Sequence, residues 1–334
     1  MKKIAIIGGG SWGTALAIVL ACSRRAHRLS LWVHDPEVCE SLRARRVNEV
    51  YLPGFELPRE VEVLGDLAQA LREADIVLGV TPSAHARAMY TKMLPHLDPR
   101  MVFVSATKGL ESKTLERATE VIAQVVSVKF TPRVAALSGP SFAREVAHGD
   151  PTAVVVASAD HELAASLQDE FSGPTFRLYT NDDVTGVELG GAVKNVIAIA
   201  AGVCQGLGLG HNTTAALITR GLAEMTRLAC ALGGRRETLA GLAGMGDLVL
   251  TCTGALSRNR TVGVELGKGR KLEEVLSSMR MVAEGVGTTA ATVELARKVR
   301  VEMPITEQMY AVLYQDRAPR DAIRELMERR LKHE

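Results

Sequence analysis

The chain has few cysteines, almost no net charge and no long apolar run, and each shortage removes a class of protein. Its five cysteines, Cys22, Cys39, Cys204, Cys230 and Cys252, are odd in number and far apart, with no C-x-x-C pair. This excludes a disulfide framework or a zinc ribbon and fits thiols kept reduced in the cytoplasm. Lys and Arg total 40 against 38 Asp and Glu, a net charge of +2, so there is no general electrostatic case for nucleic acid and any basic site must be local. No stretch of 18 or more apolar residues is evident, so no membrane span is expected; the longest, Val196 to Cys204, reads as a buried helix. The start, MKKIAII, is too short in its apolar part for a secretory signal and stops at three glycines.

What is present begins at those glycines. The short apolar strand Lys3–Ile7 runs into Gly8-Gly9-Gly10-Ser11-Trp12-Gly13, a G-x-G-x-x-G turn with a strand before it and an Ala/Leu/Ile/Val-rich helix after it. Each glycine of the pattern has a physical task. Gly8 turns the chain off the strand, Gly10 lets a pyrophosphate approach the backbone, and Gly13 lets the helix pack closely on the strand. The free N–H groups at that helix start would face the phosphates.

A chain of 334 residues exceeds one comfortable core, so two domains are expected. The first part alternates β-rich runs with helical patterns. Strands are expected at Lys3–Ile7, Leu29–Val33, Val61–Leu64, Ile76–Val80, Val102–Ala106, Val134–Leu137, Ala153–Ala157 and Thr175–Leu178. Amphipathic stretches such as Leu115–Val126 and His161–Glu170 lie between them. That alternation predicts an α/β fold: a doubly wound, mainly parallel Rossmann sheet covered on both faces. The direction of the last strands stays open. After about Thr180 the pattern is helical throughout: Asp183–Val203, Asn212–Ala231, Arg258–Leu266, Leu272–Met279, Thr288–Lys298, Ile305–Leu313 and Ala318–Arg329. Ser257 suits an N-cap, and Pro304 suits a first helical position. The expected division is a dinucleotide-binding domain over 1–185 and an all-helical domain over 186–334.

Three constellations carry chemistry. Lys194 and Asn195 sit within the apolar helix around Val193, Val196, Ile197 and Ala200. A lysine there must snorkel out, pair, or lose its proton. Two roles are open to it: a structural lysine on a helix flank, or a general acid/base for a secondary alcohol and its ketone. Asp247 follows a glycine-rich approach, with Thr251 one helical turn later on the same face. Asp247 suits an N-cap, or it could orient substrate hydroxyls or hold the lysine, both of which are compatible with capping. Ser257-Arg258-Asn259-Arg260 offers a hydroxyl, a guanidinium and an amide at a helix start, either a phosphate cradle or a solvated cap. Two loops follow strand ends where an open sheet binds ligands: Thr107-Lys108-Gly109, and Ser138-Gly139-Pro140-Ser141-Phe142-Ala143.

Across nearly its whole length the sequence resembles the bacterial-type glycerol-3-phosphate dehydrogenases that use NAD or NADP. The resemblance rests on GGGSWGTALA, ATKGLE, SGPSFAREV, ELGGAVKNVIAIAAG, ITRGLAEM, GMGDLVLTCTG, SRNR, VAEG and EMPIT. It implies a Rossmann domain, an all-helical domain and a site between them. The reaction implied is reversible conversion of dihydroxyacetone phosphate to sn-glycerol 3-phosphate, a precursor for glycerophospholipids. By motif position, Lys194 would be the acid/base, with Asn195, Asp247 and Thr251 close to the reacting centre. Lys108, Gly139, Ser141, Lys194, Asp247, Ser257, Arg258 and Asn259 would hold substrate. Beside the glycines, Ser11, Trp12, His34, Lys108, Ala143, Arg258, Val282 and Glu284 would contact the cofactor. No metal is implied, and a cytoplasmic homodimer is the expected state.

Cofactor choice turns on the end of the second strand. Asp35, about 20 residues beyond the glycines, suits the ribose 2′-hydroxyl of NAD. His34, Arg45 or Arg46 would instead meet the 2′-phosphate of NADP. Use of both, with NADPH favoured, is expected. The stretch Cys22-Ser-Arg-Arg-Ala-His27 is longer and more basic than the usual turn at that point. The alternatives are a related Rossmann-type dehydrogenase of a 3-hydroxy acid or sugar acid, which would need a carboxylate clamp, and a dinucleotide sensor without turnover.

Overall fold

A computed structural model of the chain describes residues 1–279 and 282–331. Two compact units are present, one formed by Met1–Lys108 and Glu116–Glu188, the other by Gly109–Leu115 and Leu189–Glu334.

The first unit is built on β-branched strands. They are β1 (Lys2–Ile7), β2 (His27–Trp32), β3 (Val47–Asn48), β4 (Leu52–Glu56), β5 (Val61–Leu64), β6 (Ile76–Gly79), β7 (Val102–Ser105), β8 (Arg133–Ser138), β9 (Thr152–Ala157) and β10 (Phe176–Asn181). Eight of them form one sheet in the order β10-β9-β8-β7-β6-β1-β2-β5. The six strands from β5 to β8 are parallel, β9 runs antiparallel to β8, and β10 is parallel to β9. The final pair therefore forms a reversed extension. Ile4, Ile6 and Leu31 feed one apolar face, and Ala5, Ile7, Val77 and Phe103 the other, so the central strands are buried on both sides. From β1 the chain moves outward through β2 to β5, then returns to the other side of β1 at β6. The switch point thus lies at the carboxyl ends of β1 and β6, where such sheets bind ligands.

Several expectations change. β3 and β4 form a separate antiparallel hairpin that the sequence pattern did not announce. The expected helix from Leu115 begins only at Ala118, because Leu115 has φ +66, in the left-handed region. The basic stretch after the first helix, Ser11–Ala21, docks the His161–Phe171 helix. Arg25 makes a forked contact with Asp169 at 2.9 and 2.7 Å, and His27 Nε2 lies 2.9 Å from the Glu170 carbonyl.

The second unit is helical, and its centre is the Val184–Gly206 helix from Leu189 onward. This helix corrects the expectation that no segment is long and apolar enough for a membrane: by length and a mean hydropathy of 1.5 it is, and that apolar window is wholly buried inside the protein. A helix apolar all round suits burial on every face. The Arg258–Gly267 helix runs parallel against it through glycines spaced four apart on both. A Cβ at Gly202 would fall 2.0 Å from the Arg260 carbonyl oxygen, and one at Gly263 would fall 2.0 Å from that of Ile199. Only backbone can meet backbone this closely, and the contact fixes the head of the second helix beside Asn195.

Candidate active site

In the first unit the glycine turn is shaped as the sequence implies. Gly8 has φ +132, and a Cβ there would meet the Val80 carbonyl at 2.6 Å. A Cβ at Gly13 would sit 1.8 Å from the Gly8 carbonyl, so the helix could not pack on the turn with any side chain at that position. A Cβ at Gly10 would meet nothing, leaving the backbone open to a ligand. Ser11, Trp12 and Gly13 occupy the first helical turn after Gly10, where N–H groups lack intrahelical partners. The indole Nε1 of Trp12 is buried without a hydrogen-bond partner, a donor for a polar ligand to satisfy. These features fit a dinucleotide.

Around the same sheet edge, the Thr107 hydroxyl donates to the Thr81 carbonyl at 2.7 Å. Lys108 Nζ reaches the Gly139 carbonyl at 2.8 Å and the Ser141 hydroxyl at 3.1 Å, so the two loops singled out in the sequence meet. Ala143 begins a short helix, Ala143–His148, on the second of these loops. His34 is exposed beyond β2, its ring 5.6 Å from that of Trp32. Two of the residues weighed for cofactor choice have other tasks. Asp35 caps the Pro36–Arg45 helix by accepting from the backbone N–H groups of Glu37 and Val38. Arg46 is corrected from a 2′-phosphate candidate to a structural residue. Its guanidinium donates to the carbonyls of Leu57, Pro58 and Val61, while the exposed Arg45 has no such engagement.

In the second unit, Lys194, Asn195, Asp247 and Thr251 are brought together and buried. Lys194 Nζ pairs with Asp247 Oδ1 and donates to Thr251 Oγ1 at 2.8 Å. Thr251 in turn donates to the Asp247 carbonyl at 2.6 Å. Asp247 is not an N-cap: Gly246 before it is already helical, and a wide π-helical turn, Leu242–Gly246, runs into the Asp247–Thr253 helix. That turn lies against Gly190, where a Cβ would meet the Ala243 carbonyl at 2.5 Å. Gly190 precedes Lys194 by one turn, so the close backbone approach delivers the carboxylate to the amine.

Ser257 does cap its helix, its hydroxyl accepting from Arg260 N at 3.2 Å. Asn259 Nδ2 donates to Asn195 Oδ1 at 2.9 Å, and Asn259 Oδ1 accepts from Gly285 N at 2.9 Å. Of the two amide protons of Asn259, one is committed to this chain. Arg258 lies at the surface and donates to the Val282 carbonyl at 3.0 Å. Desolvation lowers its guanidinium pKa, and the Glu284 carboxylate opposes this. Glu284 opens the Glu284–Lys298 helix. Sequence reasoning passed over Asn48, Glu188 and Glu224, all buried polar residues. Glu188 receives Arg117 at 2.9 Å and the backbone N–H of Thr119 at 2.9 Å.

A nucleotide-shaped turn on a parallel sheet, and a buried lysine–aspartate pair in a helical unit, define a nicotinamide-dependent dehydrogenase. A family profile for the NAD-dependent glycerol-3-phosphate dehydrogenase N-terminus matches residues 3–164, and one for its C-terminus matches residues 183–324. The glycerol-3-phosphate dehydrogenase [NAD(P)+] of Koribacter versatilis is 62% identical over 98% of both chains. That of Citrifermentans bemidjiense is 54% identical over 100% of this chain and 99% of its own. The crystal structure of glycerol-3-phosphate dehydrogenase from Coxiella burnetii superposes with a TM-score of 0.93 at 43% identity, covering 98% of this chain and 99% of that one. The chain belongs to the NAD(P)-dependent glycerol-3-phosphate dehydrogenase family.

Proposed function

We propose that the chain reduces dihydroxyacetone phosphate to sn-glycerol 3-phosphate with NADPH or NADH, reversibly, and that Lys194 is its proton carrier. The observation that carries this reading is the buried Lys194 held by Asp247 and Thr251. The dihydronicotinamide, when bound, supplies the hydride to the carbonyl carbon. Pairing with Asp247 favours the ammonium form of Lys194, which gives a proton to the ketone oxygen as its charge develops. In the reverse direction the neutral amine takes the proton of the alcohol. Asp247 and Thr251 fix the amine by ion pair and hydrogen bond, which lowers the orientational cost of proton transfer.

The substrate phosphate needs cations and donors. Arg258, Ser257 and the second amide proton of Asn259 supply them at one helix head, and Lys108, Gly139 and Ser141 form a second polar group in the first unit. The glycine turn, with Ser11 and Trp12, holds the pyrophosphate, and His34 reads the adenosine ribose. His34 at the strand end, with Asp35 committed to its helix cap, favours NADPH. Ala143, Val282 and Glu284 complete the cofactor contacts. The product feeds glycerophospholipid synthesis in the cytoplasm, from a homodimer.

The test is to follow nicotinamide absorbance with dihydroxyacetone phosphate and NADPH, with NADH in parallel. Phosphate-dependent oxidation of the cofactor is expected. Turnover of a 3-hydroxy or 3-keto acid in place of the phosphorylated ketone would overturn the substrate assignment. Tight cofactor binding with no turnover would mark a sensor.

A further inference from the structure

The hairpin of β3 and β4 carries one buried polar side chain, Asn48, only 1% exposed. Its Nδ2 donates to the Gly9 carbonyl at 2.9 Å and to the Thr14 hydroxyl at 2.8 Å, and its Oδ1 accepts from Tyr51 N at 3.1 Å. Three of the four hydrogen bonds open to an amide side chain are therefore made. Gly9 is the middle residue of the glycine turn, and Thr14 lies in the first turn of the helix after it. The hairpin is itself held firmly. Leu52 and the following Leu57 are fully buried, Arg46 ties three carbonyls around its exit, and Arg144 lies 5.6 Å from the Phe55 ring centroid.

We infer that Asn48 is a positioning residue for the dinucleotide, setting the Gly9–Gly10 peptide in the orientation that binds pyrophosphate. The peptide bond is planar and trans, so its carbonyl and its N–H point in opposite directions. Drawing the Gly9 carbonyl onto Asn48 turns the Gly10 N–H the opposite way, and the space around Gly10 is open, since a Cβ there would meet nothing within 4 Å. Glycines at Gly8, Gly9 and Gly10 leave this peptide free to flip at little steric cost. Without Asn48 the turn would sample orientations that present a carbonyl oxygen to a phosphate. The thermodynamic consequence is a loss of cofactor affinity through the unbound state, with no contact between Asn48 and the cofactor.

This inference rests on the assignment of the glycine turn to the pyrophosphate, and wild-type NADPH binding tests that assignment separately. The experiment compares wild type with Asn48→Asp and Asn48→Ala. Asn48→Asp keeps the shape and replaces both donor protons by an acceptor. Dissociation constants for NADPH and NADH are measured by titration calorimetry, alongside thermal melting and steady-state kinetics at saturating cofactor. Both constants should rise by about tenfold or more, by the same factor, because the pyrophosphate is common to both. KM for dihydroxyacetone phosphate at saturating cofactor should stay near wild type. A lowered melting temperature with unchanged dissociation constants would overturn the inference and leave Asn48 a structural residue. A change in the NADPH-to-NADH ratio would overturn it as well, by placing its effect at the ribose. Should Asn48→Ala not fold, the isosteric Asn48→Asp decides. Failure of wild type to bind either dinucleotide would overturn the assignment beneath it.

Discussion

Lys194 and Asp247 form an ion pair in which the side chains are 6% and 1% exposed, with Thr251 as the second acceptor for the amine. Lys194→Ala should lower kcat by roughly 10²–10⁴ while NADPH affinity changes little. The structure adds a stability consequence. Removing one partner leaves a buried charge uncompensated, a loss of about 3–5 kcal/mol, whereas removing both is milder. Lys194→Met should therefore melt well below wild type, and Lys194→Met with Asp247→Leu should recover part of that loss without recovering activity. A double variant no more stable than the single one would mean that the pair contributes nothing by its charge.

Arg258, proposed above as a phosphate contact, lies at the surface and is braced by the Val282 carbonyl. Its replacement by Ala should raise KM for dihydroxyacetone phosphate by about 10- to 100-fold, the range of a lost charge-assisted contact. Dihydroxyacetone, which has no phosphate, serves as the control, and its slow turnover should be nearly indifferent to the change. Equal losses for both ketones would move Arg258 away from the phosphate.

The close contact of the two glycine-bearing helices sets where Asn259 meets Asn195. Gly263→Ala places a methyl group where the Ile199 carbonyl already lies. The helices must separate, at a cost of about 1–3 kcal/mol or more. The Asn259–Asn195 bond at 2.9 Å lies one turn from the clash. Both a lower melting temperature and a higher KM for the phosphorylated ketone are expected. Gly269→Ala, at a position with φ +91 and open space around it, should show only the backbone strain and no kinetic change.

How much of this was legible depended on burial. The strands of the large sheet could be placed to within a residue or two because Ile4, Val77, Phe103 and Val154 had to be apolar on both faces, except that the edge strand β10 runs on to Asn181, three residues past its expected end, through the exposed Tyr179 and Thr180. The β3–β4 hairpin escaped notice because its residues do not alternate: Leu52 is buried, but Pro53, Gly54 and Glu56 are exposed. The glycine turn was readable because each glycine answers a separate steric demand. Lys194 was readable as an anomaly, a cation among apolar neighbours. Its partner was legible only as one of several roles open to Asp247, since the approach of that residue depends on a π-helical turn over Gly190 that no periodicity announces. Asn48 was invisible for a related reason: an asparagine in a polar segment has no pattern until the fold folds it inward.

Glu224 makes the pH dependence of stability testable. It is buried in the His211–Ala231 helix and accepts from the backbone N–H groups of Ile305 and Thr306 at 2.7 and 3.3 Å, at the start of the Pro304–Tyr314 helix. Burial pushes its carboxyl up to about 7, against the pull of those N–H donors. The unfolded chain ionises this group near its ordinary value, so between about 4.5 and about 7 the unfolded state has released a proton that the folded state still holds. Its contribution is fully present below about 4.5 and is lost as pH rises to about 7, beyond which it is level. The span corresponds to about 3 kcal/mol. Glu224→Gln keeps an acceptor for the helix start and removes the titration. The urea midpoint of wild type, measured against that of Glu224→Gln, should fall across this window and then hold steady. A difference that grows in favour of wild type with rising pH would show that the helix N–H groups outweigh burial and that the carboxylate is charged in the folded protein.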